Sequence, residues 1–159
     1  MCGIFGIVLG DKAKKSGIDL KGIASNLGLN SSIRGQDSSG ISVYSGGKIQ
    51  ILKINSAIKD LVSSQRYKNL FHEQDTIDMI IGHTRMATDG SYNKHHNNQP
   101  IVKDGCVTVH NGIIVNHKRL WDSYESIERK YAIDTEIINS LLRNFLISGF
   151  SVTESVKES

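Results

Sequence analysis

Cys2 directly follows the initiator methionine, in the run Met1-Cys2-Gly3-Ile4-Phe5-Gly6-Ile7. If Met1 is removed, this one residue carries both a thiol and a free α-amino group. A thiolate is a strong nucleophile, and an α-amino group, with a reference pKa of about 7.7–8.0, is partly unprotonated at neutral pH. Cys2 could therefore supply nucleophile and base together, as N-terminal threonine nucleophiles do. Taken alone, a cysteine at this position is more often a small buried apolar residue.

Four short polar segments fall at predicted strand ends or in loops, where active sites are usually built. They are Arg34-Gly35-Gln36-Asp37, Gly82-His83-Thr84-Arg85, His110-Asn111-Gly112 and Asp134-Thr135-Glu136. Each segment also has a structural explanation that involves no chemistry. Arg34 and Asp37 could form a surface ion pair, Asn111-Gly112 is a common turn dipeptide, and Asp134 could cap the helix that follows. Taken singly, these segments do not decide between the two explanations.

The sequence has none of the common motifs for a metal site, a nucleotide cofactor site or a disulfide framework. No H-x-x-x-H or C-x-x-C spacing occurs among His83, His95, His96, His110 and His117. The two cysteines, Cys2 and Cys106, are too few for a disulfide framework, and a reducing cytoplasm is the simpler context. No glycine-rich dinucleotide or phosphate loop is present. We therefore expect no metal and no cofactor.

Composition indicates a single ordinary globular domain. The chain has 159 residues, which is enough to bury a core, with 38% hydrophobic and 22% charged residues. Its net charge of +3 is too small to predict binding to nucleic acid or to a membrane surface. No apolar run approaches the roughly 20 residues that span a bilayer, and no secretory signal is visible. We expect a cytoplasmic protein.

Periodicity predicts strands and helices in separate blocks. The predicted strands cover residues 2–9, 41–44, 48–54, 76–82, 100–103 and 106–110. The predicted helices cover residues 16–28, a segment beginning at Ser56, and residues 117–130 and 135–148. Hairpins are predicted around Gly46-Gly47 and Asp104-Gly105, and residues 85–98 form a long polar loop of the kind that is usually functional. Strands paired in hairpins predict an α+β fold with antiparallel sheets.

Together with Cys2, the polar segments resemble the class II glutamine amidotransferases, whose glutaminase domain belongs to the N-terminal nucleophile hydrolases. The start of the chain is similar to the start of that family, and four internal motifs follow in the family's order. These are Arg34-Gly35-Gln36-Asp37-Ser38-Ser39-Gly40-Ile41, Gly82-His83-Thr84-Arg85-Met86-Ala87-Thr88, His110-Asn111-Gly112-Ile113-Ile114 and Asp134-Thr135-Glu136. The resemblance extends from Cys2 to about Gly149.

Two branches of the family share features with this sequence. The segment from His110 to His117 and Asp134-Thr135-Glu136 look like glucosamine-6-phosphate synthase. Arg34-Gly35-Gln36-Asp37 and Asn98-Gln99-Pro100 look more like amidophosphoribosyltransferase. Three residues depart from the synthase pattern, which usually has Trp, His and His where this chain has Met86, Asp89 and Gln99. The acceptor branch stays open at this point.

The resemblance implies a reaction and a role for each residue. Cys2 attacks the side-chain amide of L-glutamine and forms a γ-glutamyl thioester, with its α-amino group moving the proton. Asn111 and the Gly112 N–H are expected to stabilise the oxyanion. Substrate-binding roles fall to four residues. Arg85 is expected to bind the α-carboxylate and Asp134 the α-ammonium, while Thr88 adds a hydroxyl and Arg34 braces the nucleophile loop. The ammonia would pass to a synthase or acceptor domain or subunit, with a sugar phosphate as one candidate acceptor.

The family fold is an αββα four-layer sandwich, and we expect residues 1–159 to form part of such a domain. Family domains normally continue past the helix predicted to end near Gly149 and add strands to both sheets. The last residues, from Thr153 to Ser159, resemble the opening turn of a further helix. We therefore expect a domain incomplete at its C-terminus, with unpaired edges, exposed apolar surface and little activity in isolation.

Two alternatives remain open from sequence. An N-terminal-cysteine amidohydrolase that cuts another amide would share the nucleophile, but Arg85 and Asp134 would then lack an amino-acid substrate. A non-catalytic or incomplete domain could instead bind a partner protein.

Overall fold

Two antiparallel sheets contain all the strands in the part of the chain that the computed structural model describes, residues 1–14, 17–72, 77–87, 93–124 and 126–159. The larger sheet has the strand order β1-β4-β2-β3, with β1 at Gly3–Val8, β2 at Ser38–Ser45, β3 at Lys48–Ile54 and β4 at Met79–Arg85. The smaller sheet is the hairpin of β5 (Ile101–Lys103) and β6 (Cys106–Thr108). The predicted α+β class with antiparallel sheets is confirmed.

The helices occupy the connections and the C-terminal part of the chain. They are α1 (Asp11–Lys14), α2 (Leu20–Ser31), α3 (Ile58–Ser63), α4 (Gln65–His72), α5 (His117–Ser123), α6 (Glu136–Ile147) and α7 (Val152–Glu158). Short 3₁₀ turns lie at Ser32–Arg34 and His95–Asn97. The helix expected near the end of the chain is present as α7, which opens with a capping box between Ser151 and Glu154. Among the described residues, no helix is long and apolar enough to cross a bilayer.

The main core lies between the larger sheet and helices α2, α3 and α4. Successive side chains of a strand point to opposite faces, and β2 shows this pattern. Ile41 and Val43 are fully buried in this core with Ile58 and Leu61 of α3. Ser42 and Tyr44, on the opposite face, line a small cavity together with Gly105 and Val107 of the hairpin. The larger sheet is thus covered by helices on one face and approached by the hairpin on the other.

A second core joins α5 and α6. It consists of Trp121, Ile137 and Leu141, with partly buried apolar neighbours. Asn139 of α6 is fully buried, and its Nδ2 donates to the carbonyl oxygens of Ile101 and Cys106 at 3.2 and 3.0 Å. These bonds fasten α6 to the hairpin.

Strand β2 begins three residues earlier than its alternating pattern predicts. We expected a strand at 41–44 after an irregular segment, but residues 38–40 already pair with β4, with Ser38 opposite Arg85. Turn-forming residues join the strand here because β2 is a central strand with a partner on each side. Strand β4 is also displaced from its predicted position, 76–82, and includes the whole of Gly82-His83-Thr84-Arg85. The predicted first residue, Thr76, lies outside the described residues.

Helix α5 is shorter than the predicted 117–130. It ends at Ser123, and the segment that follows is held by a buried carboxylate. The backbone N–H groups of Lys130 and Tyr131 each donate to Glu136 at 2.7 Å. Backbone groups bound in this way cannot make helical hydrogen bonds, so this contact keeps the last residue of the predicted range out of a helix. The prediction for α6, 135–148, is confirmed to within one residue at each end.

Candidate active site

Three strand ends meet at one end of the larger sheet. Gly3 of β1 pairs with Thr84 of β4, and Ser38 of β2 pairs with Arg85. Continuing the β1–β4 register by one residue places Cys2 opposite Arg85. The sheet therefore brings the N-terminus, the start of the second strand and the end of the fourth strand to a single place.

Cys2 is held between the end of β4 and a distant loop. Its Sγ lies 3.4 Å from both the amide nitrogen and the carbonyl oxygen of Met86. Its backbone N donates to Oδ1 of Asn111 at 3.2 Å, although the two residues are 109 positions apart. Because an N–H can only donate, the acceptor end of the Asn111 amide faces Cys2, and Nδ2 is left as its donor end.

Arg34 fixes the backbone of the candidate nucleophile. Its Nε donates to the carbonyl oxygen of Cys2 at 3.0 Å. Gly35 makes this approach possible, because a Cβ at this position would lie 2.4 Å from the Arg85 carbonyl carbon and 2.6 Å from the Met86 nitrogen. Any side chain at position 35 would push the Arg34 turn away from the end of β4.

Asp37 holds the residues that follow β4. Its carboxylate accepts from the Ala87 N–H at 2.8 Å, and its own N–H donates to the Arg85 carbonyl at 3.0 Å. The Arg34-Gly35-Gln36-Asp37 segment therefore binds the backbone on both sides of Met86. This segment therefore supports the backbone of the candidate site. The sequence alone had offered a surface ion pair between Arg34 and Asp37 as its structural explanation.

Arg85 is buried, with 3% of its surface exposed, in a polar network at the centre of the sheet end. Its Nη1 donates to Oδ1 of Asn98 at 2.7 Å, and the Ser38 hydroxyl donates to the same oxygen at 2.9 Å. The ammonium of Lys53 donates to the Asn98 carbonyl at 2.7 Å, and burial lowers the pKa of Lys53 to about 8. A buried guanidinium fixed by neighbours is well suited to recognise a carboxylate.

Asp134 contacts the loop that carries Asn111 and does not cap α6. The N-cap of that helix is Thr135. The carboxylate of Asp134 accepts from the Ile114 N–H at 2.7 Å and from the Thr135 hydroxyl at 3.3 Å. It is 5% exposed. The structure thus attaches this acidic group to the loop that carries Asn111.

Two buried side chains hold the peptide that precedes Asn111. Gln99 accepts from the His110 N–H at 2.5 Å and donates to the His110 carbonyl at 3.0 Å. His83 Nε2 lies 3.2 Å from the same carbonyl, so this nitrogen must carry a proton and donate. Burial is the main cause that lowers the pKa of His83 to about 4, with the nearby charges of Arg85 and His110 acting in the same direction. His83 is therefore neutral at physiological pH.

The structure describes all the predicted site residues except Thr88, and these fall into three groups. Arg34 and Asn111 each form a hydrogen bond with the backbone of Cys2. Arg85 directly precedes Met86, which contacts Cys2, and Asp134 accepts from Ile114, which lies three residues after Asn111. Gly112 is exposed beside Asn111, and a Cβ there would lie 2.7 Å from His110 Nε2. Thr88 and Asp89 lie outside the described residues.

Sequence reasoning assigned no supporting role to Asp37, Asn98 or Gln99. Each sits inside a segment that had been singled out, Arg34-Gly35-Gln36-Asp37 or Asn98-Gln99-Pro100. Their place inside such a segment is the signal that the sequence offers, but the contacts that reveal the supporting role are known only from the structure.

A cavity of about 470 Å³ opens beside the candidate nucleophile. Met1, Arg34, Gly35, Asp37 and Met86 are among its lining residues. Met1 forms part of the wall next to Cys2, so its removal would enlarge the space. In the described part of the chain, no three His, Cys, Asp or Glu side chains form a group that could hold a metal ion.

Comparison with known proteins identifies the family. A sequence profile described as "Glutamine amidotransferase domain" matches residues 83–157, which include His83, Arg85, Asn111 and Asp134. A glutamine–fructose-6-phosphate aminotransferase (isomerizing) of Sulfurisphaera tokodaii is 30% identical over 99% of this chain, and one of Helicobacter pylori is 32% identical over 100%. This chain carries a class II glutamine amidotransferase domain. It spans about a quarter of the length of those relatives, 26% and 25% respectively.

Solved structures agree with this amidotransferase assignment. The domain superposes on the allosteric regulatory enzyme of purine biosynthesis with a TM-score of 0.74 and 26% identity, covering 99% of this chain and 32% of the other. It also superposes on glutamine phosphoribosylpyrophosphate amidotransferase from B. subtilis, with a TM-score of 0.66, 25% identity and the same coverage. The amidotransferase domain is therefore similar in sequence to one kind of amidotransferase and in structure to another.

Proposed function

We propose that this amidotransferase domain hydrolyses L-glutamine to glutamate and ammonia, with Cys2 as its N-terminal nucleophile. The observation that carries the proposal is the 3.2 Å contact between the Cys2 nitrogen and Asn111 Oδ1. This contact joins the nitrogen that becomes the α-amino group after removal of Met1 to the side chain that we assign to the oxyanion. A thiol, an amine and an amide donor at one point are the groups that acyl transfer from an amide needs.

The first half of the reaction forms a thioester. The thiol proton of Cys2 passes to the α-amino group, directly or through a water, and Sγ bonds to the side-chain amide carbon of glutamine. The resulting tetrahedral carbon carries a negatively charged oxygen. When the C–N bond breaks, nitrogen takes the proton from the α-ammonium group and leaves as ammonia.

The second half releases glutamate. A water molecule gives one proton to the same amine and adds its oxygen to the thioester carbon. Collapse of this second intermediate breaks the C–S bond, and sulfur recovers the proton as a thiol. Both intermediates need fixed donors for their oxyanion, and we assign these to Asn111 Nδ2 and the Gly112 N–H.

Substrate recognition requires one cation and one anion at a fixed spacing. We assign the α-carboxylate of glutamine to Arg85, whose planar guanidinium matches a carboxylate. The α-ammonium is assigned to Asp134, and a further hydroxyl contact to Thr88. Arg34 supports the nucleophile through the Cys2 carbonyl.

We further propose that the ammonia passes to an acceptor domain or subunit. Support comes from the relatives, whose name pairs glutamine with fructose 6-phosphate and which are about four times the length of this chain. A sugar phosphate is accordingly our candidate acceptor.

We also propose the four-layer sandwich for this domain. It is supported by the order in which the elements pack: helices α2–α4, the larger sheet, the hairpin and α6. That residues 1–159 form a partial domain stays a prediction.

The direct test is an assay of purified protein for glutamate and ammonia, combined with intact-mass measurement. We expect turnover only from molecules that begin at Cys2, because an amide nitrogen cannot accept the proton. Protein purified from cells in which methionine removal is inhibited provides the comparison. Equal turnover by the Met1-containing form would exclude the α-amino group as the base.

Arg85→Lys tests the carboxylate assignment. Lysine keeps the charge but loses the fork that matches a carboxylate. Losing one charged hydrogen bond, about 1.5–3 kcal/mol, corresponds to a fall in kcat/KM for glutamine of roughly 10- to 100-fold. The fall should be much smaller with 4-aminobutanamide, which is glutamine without its α-carboxylate.

Arg66→Lys, on the exposed surface of α4, is the matched control and should leave both activities unchanged. Thermal melts of both variants distinguish a loss of substrate binding from a loss of protein stability. The melts are needed because Arg85 is also hydrogen-bonded to Asn98. Equal losses for the two substrates would assign Arg85 a structural role and favour an amidohydrolase with a different substrate.

A further inference from the structure

We infer that Gln99 is a positioning residue that orients the oxyanion loop and links it to Asp134, and that this position requires an amide. The inference rests on the proposed function, because it assigns Asn111 to the oxyanion. Gln99 is 5% exposed, and its side chain uses both ends of the amide group. No part of it is assigned to contact with glutamine.

The first element is a two-point clamp on one residue. Gln99 Oε1 accepts from the His110 N–H at 2.5 Å, and Nε2 donates to the His110 carbonyl at 3.0 Å. That carbonyl belongs to the peptide bond between His110 and Asn111, which is planar. Fixing the carbonyl therefore fixes the peptide plane from which Asn111 projects towards Cys2.

The second element is a bond from the same amide to the acidic side of the site. Gln99 Nε2 lies 3.3 Å from the Thr135 hydroxyl, which in turn lies 3.3 Å from Asp134 Oδ1. An ionised carboxylate only accepts, so the hydroxyl proton points to Asp134, and the hydroxyl oxygen accepts from Gln99. One hydrogen of the Gln99 amide then serves Thr135, and the other serves the His110 carbonyl.

This arrangement of hydrogen-bond donors and acceptors determines which side chain fits at position 99. Position 99 needs two donors, aimed at the His110 carbonyl and at Thr135, and one acceptor, aimed at the His110 N–H. An amide supplies all three from a single planar group. A carboxylate of the same shape supplies the acceptor only, and leaves the carbonyl facing a negative charge. His83 Nε2 donates to that carbonyl too, and being neutral it offers no positive charge to compensate.

Gln99→Glu tests this arrangement. We expect kcat for glutamine to fall by about 10²-fold at mildly alkaline pH, the loss typical of a misplaced catalytic group, while KM changes much less. Protonation would restore one donor to the carboxyl group, which is faced by His83, His110 and Asp134. Burial favours the protonated form, so the ratio of variant to wild-type kcat should rise as the pH is lowered.

Two further variants define the control. Gln99→Met fills the same space without polar atoms, so its kcat should fall at every pH with no recovery. Gln65→Glu makes the same chemical change on the exposed start of α4 and should leave kcat unchanged. Amide hydrogen exchange of His110 provides a measurement that needs no activity. Its protection should be lost in Gln99→Met and kept in Gln65→Glu.

The outcomes distinguish a failure of the proposed function from a failure of the positioning role of Gln99. Wild-type protein that turns over no glutamine would reject the proposed function, and His110 exchange would still decide whether Gln99 holds the loop. Active wild type with unchanged kcat in folded Gln99→Glu or Gln99→Met would overturn the positioning role. A loss of kcat in Gln99→Glu that is the same at every pH would overturn the assigned arrangement of donors and acceptors.

Discussion

Cys2→Ala is expected to remove glutaminase activity, with a loss of about 10⁴-fold or more in kcat. The covalent route disappears with the sulfur, and the groups that remain only bind substrate and polarise its amide. The variant should still bind glutamine, because the residues assigned to the α-carboxylate and α-ammonium are unchanged. Isothermal calorimetry with the inactive variant measures that binding directly. Turnover near the wild-type rate would exclude Cys2 as the nucleophile.

Cys106→Ala is the matched control, since Cys2 and Cys106 are both partly buried thiols. Cys106 lies in β6, and burial raises the pKa of its thiol, so little thiolate is present there at neutral pH. We expect this variant to keep full activity. A glutamine analogue that carries an electrophile in place of its side-chain amide should label Cys2 alone in the wild type, and excess glutamine should slow the labelling. Label found on Cys106 at a similar rate would contradict the assignment.

Asn111→Ala is expected to lower kcat by about 10²–10³, the usual loss for one oxyanion donor, which corresponds to about 2.7–4 kcal/mol. KM should change much less, because the donor acts on charge that develops only in the transition state. Steady-state kinetics at several glutamine concentrations separate the two effects. An unchanged kcat would remove Asn111 from the site.

Asn111→Asp separates the two ends of this side chain. A carboxylate keeps an acceptor for the Cys2 nitrogen but loses the donor and repels an oxyanion, so its kcat should fall at least as far as that of the alanine variant. Asn116→Ala is the control five residues along the chain, where the asparagine makes no side-chain capping bond at the start of α5. That variant should retain its activity. A much more active aspartate variant would show that holding the amine is the principal role of Asn111.

Local pattern was sufficient for the class of fold and for several boundaries. Alternating residues and the Gly46-Gly47 turn predicted the β2–β3 hairpin, and the 135–148 periodicity predicted α6, because both patterns reflect a face that is buried against a neighbour. Ordered motifs likewise indicated the family, which the comparisons confirmed.

Boundaries failed where distant contacts decide the backbone. The early start of β2 depends on pairing with β4, and the buried Glu136 carboxylate keeps Lys130, the last residue of the predicted helix 117–130, out of a helix. The β4 residues lie far from β2 in sequence, whereas Glu136, although only six residues from Lys130, belongs to the next helix. Local propensity is a small free-energy term, and a satisfied buried hydrogen bond outweighs it.

By itself, the sequence determined the candidate nucleophile, the antiparallel α+β class and the types of residue available for glutamine. Only the tertiary structure decided which of them meet. It placed Asn111 beside Cys2 and attached Asp134, through Ile114, to the loop that carries Asn111. It also showed that Gln99, which departs from the pattern of one branch, holds both backbone groups of His110. The physical reason is that a motif specifies donors and acceptors, whereas their partners are selected by packing between strands and loops far apart in the chain.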